Sequence, residues 1–198
     1  PTIYWSVVDY YLEPKIPYYY LRRAYAPVLL SFERTPDELN VWVINDSDEP
    51  VRGRLVVRRM AFDGTTHGEA VAEVRVEPGE SQRALSTVGL GPISLRHEFL
   101  EARLGALEAT HLLIGERYLV LPRARLSARA VRGAIEIATD VFARQVTLTM
   151  EGVSGAVFED NHFDLPPHGR RTIAVIDPAR GKRVAVNCVN GDTLHVPW

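Results

Sequence analysis

The stretch VLLSFERTPDELNVWVIN, residues 28–45, decides the fold class. Its first seven residues make one β-rich run. In the second run Leu39, Val41 and Val43 alternate with Asn40, Trp42 and Ile44. A period of two is the signature of a strand, and the apolar residues on both sides predict one that is covered on both faces or nearly so. Asn45-Asp46-Ser47-Asp48 then has the composition of a turn. The same alternation recurs outward from this centre. Residues 51–58 and 70–76 read as strands around the hairpin signal Asp63-Gly64, and Pro78-Gly79-Glu80 ends the second. Further strands are predicted over 81–88, 97–104 and 110–119. Beyond Pro122 they are predicted over 124–131, 133–138, 142–150, 171–176 and 183–190. Gly152, Gly155, Pro166-Pro167, Gly169, Gly181 and Gly191 punctuate this last region. Short strands with turn signals every 8–12 residues predict β-sandwiches. The expected fold is all-β: two Ig-like β-sandwich domains, residues 27–121 and 122–198, joined tightly at Leu121-Pro122.

Residues 1–26 differ from the rest. Tyr10, Tyr11, Tyr18, Tyr19, Tyr20 and Tyr25 cluster there with Trp5. Pro14 and Pro17 stand at the front of the run YYYLRRAYAP. Proline is accepted in the first helical turn and excluded from the interior. A helix is therefore predicted from Pro14 or Ile16 to Ala24, ended before Pro27. Tyr18, Leu21 and Tyr25 define its expected apolar face. A helix this short is marginal in water. It must lean on another surface: it packs on the first sandwich, pairs with a second copy, or frays.

Composition excludes several functions. The 198 residues carry 23 basic and 25 acidic side chains, for a formal net charge of -2. That gives no global pull toward nucleic acid or an anionic membrane. No apolar run approaches the ~18 residues of a membrane span. Cys188 is the single cysteine, so a disulfide framework and a cysteine-rich zinc site are excluded, and a reducing, cytoplasmic setting is slightly favoured. The chain begins at Pro1 without a signal-peptide pattern, and is read as a piece of something longer.

No cofactor is expected. The six histidines show no zincin spacing, and no phosphate loop or nucleophile elbow occurs. Asp160, Asn161 and Asp164 offer oxygen ligands for calcium, but without the EF-hand pattern they read as an Asx-stabilised turn, so no metal is assigned. Asn45-Asp46-Ser47 is a formal glycosylation sequon in a predicted turn. The doublets Arg22-Arg23, Arg58-Arg59 and Arg170-Arg171 read as a solvated surface with local ion pairs.

Two segments carry a family resemblance. WSVVDYY (5–11), then Pro14-Lys15, then YYYLRRAYAPV (18–28) resembles the junction at which the catalytic (β/α)8 barrel ends in glycoside hydrolase family 2. The similarity is to its β-mannosidase-like and exo-glucosaminidase-like branch. FEDNHFDLP (158–166), followed by Gly169, resembles a motif late in the last Ig-like domain of the same branch, with extra spacing at Pro167-His168-Gly169. The resemblance implies that residues 1–26 are a barrel-derived tail and helix. It implies a C-terminal accessory or scaffold region of a retaining β-glycosidase, packing on a catalytic barrel that this chain lacks. It also implies that Trp5 and Asp9 border the parent's sugar subsite. Retaining hydrolysis needs two carboxylates about 5–5.5 Å apart. The family places them upstream, so the chain alone is expected to be inactive. Two other readings stay open: a carbohydrate-binding module, which needs exposed coplanar aromatics on a sandwich face, and an adhesion-type Ig-like pair. Self-association through the aromatic face of residues 1–26 is also expected, because an apolar face that has lost its cover favours association.

Overall fold

The computed structural model describes residues 6–35 and 38–198. It divides into two compact units. One is Ala24–Leu121. The other joins the described residues up to Arg23 with Pro122–Trp198, so it is interrupted in sequence by the first. The described residues contain one α-helix, α1 (Ile16–Ala24), and otherwise antiparallel strands.

The continuous unit holds β1 (Val28–Arg34), β2 (Leu39–Asn45), β3 (Val51–Ala61), β4 (Thr66–Val76), β5 (Glu80–Ser86), β6 (Glu98–Leu104) and β7 (Leu107–Leu112). They form two sheets, ordered β1-β2-β5 and β4-β3-β6-β7. The alternation read in the sequence sets their register. Val41, Val43, Leu55, Val57, Leu100 and Ala102 are fully buried in the shared core. Trp42 and Ile44 lie on the other side of β2 and are half-buried. The predicted strand 110–119 is shorter than expected. β7 ends at Leu112, and residues 116–118 turn as a 3-10 helix.

Asn45 closes β2. Its side chain is fully buried, with Nδ2 donating to the carbonyls of Glu49 and Val76. Its Oδ1 accepts from the amide and hydroxyl of Ser47. The turn expected at Asn45-Asp46-Ser47 is an Asx turn, and both amide hydrogens of the sequon asparagine are committed to carbonyls. Charge is buried in two places. Glu101 is held by Arg58 and Arg103. Glu98 meets His67 and Arg59 and accepts the Ser94 amide at 2.7 Å. Burial pushes the Glu98 carboxyl up, but these partners outweigh it and hold the group below its ordinary value.

The interrupted unit continues with β8 (Leu126–Val131), β9 (Ala134–Thr139), β10 (Ala143–Met150), β11 (Val157–Phe158), β12 (Phe163–Leu165), β13 (Arg170–Asp177), β14 (Arg183–Asn187) and β15 (Leu194–Pro197). Its sheets are ordered β12-β10-β14-β15 and β11-β13-β9-β8. Ile135, Ile137, Val146, Leu165, Val184 and Val186 form the centre of its core. β11, β12 and β15 are too short to show a period in the sequence.

The extra spacing at Pro167-His168-Gly169 has a local cause. The Gly169 amide returns to the Pro166 carbonyl at 2.8 Å. Pro167 occupies the position of the turn that favours proline, and His168 the position that demands positive φ, here 59°. Gly169 is obligatory for a different reason, since a Cβ there would lie 2.7 Å from the Pro166 oxygen.

Asn45→Ala removes the donor to the buried Val76 carbonyl and that to the part-buried Glu49 carbonyl. It is expected to cost about 1–3 kcal/mol in urea unfolding of the chain, whereas Asp46→Ala beside it is near neutral. Equal losses from both would remove the Asn45 amide from this role.

Candidate functional site

The two segments that carry the family resemblance meet in space. Residues 7–15 form a tight loop, closed by a bridge between Val8 and Pro14 and by the Lys15 amide on the Val7 carbonyl at 2.9 Å. Asp9 organises it. One carboxylate oxygen accepts the amides of Tyr11 and Glu13 at 2.8 and 2.9 Å, and its backbone pairs with Glu13 and Leu12. Leu12 takes the left-handed conformation that completes the turn, φ 65°. The loop tip leaves Tyr10, Tyr11 and Leu12 more than three-quarters exposed. Asp9 is thus a turn-former, and Trp5 lies outside the described residues.

The loop leads into α1, which docks on β10–β13 by a face that periodicity did not single out. The buried residue is Tyr19, while Leu21 of the expected apolar face is exposed, as is Tyr25 just beyond the helix. Tyr19, Arg22 and Arg23 stand three and four residues apart and so share one side of the helix. Arg23 forks into the segment before β12. Nη1 donates to Asp160 Oδ1 at 2.6 Å and to the Asn161 carbonyl at 3.1 Å, and Nη2 donates to the His162 carbonyl at 3.0 Å. Arg22 donates to the Glu159 carbonyl. The other oxygen of Asp160 pairs with Arg171 of β13 at 3.0 Å, and the Arg171 guanidinium lies over the Phe163 ring, 4.4 Å from its centroid. Asp160 therefore bridges two arginines, one on the helix and one on the sandwich. At the other end of the tail the Glu13 carboxylate accepts the Gly155 amide. Between these attachments lies a cavity of about 200 Å³, lined by Pro14, Tyr19, Met150, Ser154 and His162 among others.

Asn161 supports this clasp from below. Its Oδ1 accepts the Leu148 amide and its Nδ2 donates to the Leu148 carbonyl, each at 2.8 Å. The side chain thereby pairs with the edge of β10 as a neighbouring strand would. His162, in a left-handed conformation (φ 53°), puts its ring against Tyr19 and Thr147. Burial, and secondarily the Arg23 charge, hold its imidazole below the ordinary histidine value. Burial likewise pushes the Tyr19 phenol up. Asp164 accepts from Arg144 and from the Gln145 amide. In the segment expected to be an Asx-stabilised turn, Asp160 accepts the Asn161 amide and Asn161 Oδ1 the His162 amide, each from the next residue rather than from two residues on. Among the described residues no group of three or more His, Cys, Asp or Glu could hold a metal ion. Sequence reasoning missed Arg22 and Arg23, read as solvated charges. The only signal available was their i, i+3 and i, i+4 relation to Tyr19.

Trp42 is half-buried, with its ring N–H committed to Glu33 at 2.7 Å, and Trp198 packs against the second core. Among the described residues the exposed large aromatics are Tyr10, Tyr11, Tyr20, Tyr25 and Tyr118. Four of these five lie at or before residue 25.

Comparison with known proteins agrees with this geometry. A family model of the mannosidase Ig/CBM-like domain matches residues 37–106, and a model of the mannosidase Ig-fold domain matches residues 119–186. β-Mannosidase B of Thermothelomyces thermophilus is 25% identical over 93% of this chain, which covers 25% of that protein. Among solved structures, β-D-mannosidase of Dictyoglomus thermophilum superposes with TM-score 0.79 at 20% identity, over 95% of this chain and 24% of that one. The exo-chitosanase of Amycolatopsis orientalis gives TM-score 0.69 at 17% identity, over 98% and 29%. These two share the fold. The chain spans about a quarter of the length of the relatives that match most of it.

In a double-mutant cycle, Arg23→Gln and Asp160→Asn are expected to show a coupling of about 1 kcal/mol in urea unfolding. Additive effects would mean that the pair adds nothing to attachment. The tandem matches to mannosidase Ig-type domains over residues 37–106 and 119–186 identify the chain as a C-terminal Ig-like region of glycoside hydrolase family 2, of β-mannosidase-like type.

Proposed function

We propose that the chain is the non-catalytic accessory region of a retaining β-glycosidase, and that it works by seating the end of a catalytic barrel on the second sandwich. One observation carries this reading. The tail is fixed at Glu13, Arg22 and Arg23, yet Tyr10, Tyr11, Leu12, Tyr20 and Leu21 stay exposed. A nine-residue helix cannot hold itself in water. Here burial of Tyr19, worth roughly 2 kcal/mol, and the Asp160 network hold it. The apolar surface left outside is the kind that a further domain covers. Asp9 then acts by shaping the loop that borders the sugar pocket, and Trp5 is proposed to line the subsite. The catalytic carboxylate pair belongs to the barrel. In this chain the buried Glu98 and Glu101 are both tied to cations. The relatives' names point to β-mannosides as the parent's substrate class.

The pure chain should leave p-nitrophenyl β-mannoside, β-glucoside, β-galactoside and β-glucosaminide unhydrolysed. Its light-scattering mass should rise with concentration, and the double variant Tyr11→Ser/Tyr20→Ser should hold it near the monomer value. Turnover of any of these substrates would overthrow the accessory reading. A mass that stays monomeric at high concentration would remove the argument from uncovered apolar surface.

A further inference from the structure

We propose that His162 is an acid-sensitive latch, which holds α1 on the second sandwich while its imidazole is neutral and lets the helix go when the ring is protonated. The ring sits inside the contact it would control. It leans on Tyr19, the buried residue of α1, with 5.8 Å between centroids. Its Nδ1 is 3.1 Å from the Thr147 hydroxyl on β10. Its own backbone carbonyl is one of the three acceptors of Arg23. Helix, ring and sandwich strand are therefore stacked in that order.

Two charges act on the ring, Arg23 against a proton on it and Asp160 in its favour, with burial the larger influence. α1 contributes Arg22 and Arg23, together with Tyr18 and Tyr19, and β13 contributes Arg171. On the acidic side, Asp160 is shared between Arg23 and Arg171. Glu13 is committed to the Gly155 amide and Glu159 to the Ala174 amide. Asp164, on β12, pairs with Arg144 of β10. A proton on His162 puts a cation beside Arg23 at a half-buried position, where Asp160 is already shared between Arg23 and Arg171. The cheapest relief is for Arg22 and Arg23 to leave with the helix, which opens the ring to water.

The sign follows from linkage. Burial and the neighbouring Arg23 charge depress the docked-state value, while the released ring returns to about 6.5. The released state therefore binds the proton more tightly. Attachment is complete above about pH 6.5 and falls as the pH drops from there through the docked-state value. Asn is the replacement best suited to this backbone, because it tolerates positive φ and does not titrate.

The test is amide hydrogen exchange of the full chain at pH 7.5 and 5.5, corrected for intrinsic rates. In the wild type, protection of Tyr19–Ala24 relative to β13 should be lower at pH 5.5 than at pH 7.5. In His162→Asn the ratio should not change with pH. The second measurement needs no variant: in NMR titration the His162 ring and the α1 amides should move with one midpoint below 6.5. A wild-type ratio independent of pH would overturn the latch. So would a His162→Asn ratio that still falls, or separate midpoints for ring and helix.

Discussion

The Asp160 carboxylate, held between Arg23 of the helix and Arg171 of the sandwich, is the contact on which the interrupted unit depends. The placing of α1 follows from it, while the loop before the helix is organised separately by Asp9 and attached through Glu13. The helix is too short to persist alone, and one buried tyrosine does not offset the entropy of ordering nine residues. The bridged carboxylate, three backbone carbonyls and Glu13 at the far end supply what is missing. Because the acceptors are mostly backbone groups of Glu159–His162, the segment before β12 must keep its turn for the helix to dock. Asn161 maintains that turn by using its amide as a substitute strand against Leu148.

This arrangement gives the tail two sides with different chemistry. The docked side is polar and directional, built from arginines and carbonyls. The exposed side is aromatic and non-directional, built from Tyr10, Tyr11, Tyr20 and Leu21. A directional contact fixes where the helix sits, and an apolar one then adds area wherever a partner meets it. The continuous unit solves a different problem. Its core is apolar, and its buried charges are confined to Glu98 and Glu101, each neutralised within the unit. Asn45 closes its second strand by satisfying two carbonyls that the turn would otherwise strand.

Much of the fold was legible. Leu39–Asn45 declares itself by alternation because one face of β2 is core and the other is half-covered. The helix bounds follow from Pro17 and Pro27, since proline chemistry is local. The motifs at 5–28 and 158–166 pointed to a family because they are long and specific. The strands β11, β12 and β15 were not legible, because two to four residues cannot display a period and are held by pairing alone. Nor was the docking face of α1. Its apolar stripe, Tyr18, Leu21 and Tyr25, pointed away from the answer, because guanidinium pairing with Asp160 and the carbonyls around it prevailed over apolar area.

The sequence by itself determined the all-β architecture, the helix bounds, the turn after β2 and the family, all properties of residues near one another in the chain. Only the tertiary structure decided that the helix belongs with the second sandwich, although the whole first sandwich separates them in sequence. It also decided that Asp160 serves two arginines and that His162 lies between helix and strand. Those facts depend on which surfaces meet across more than a hundred residues, and no local pattern encodes that pairing.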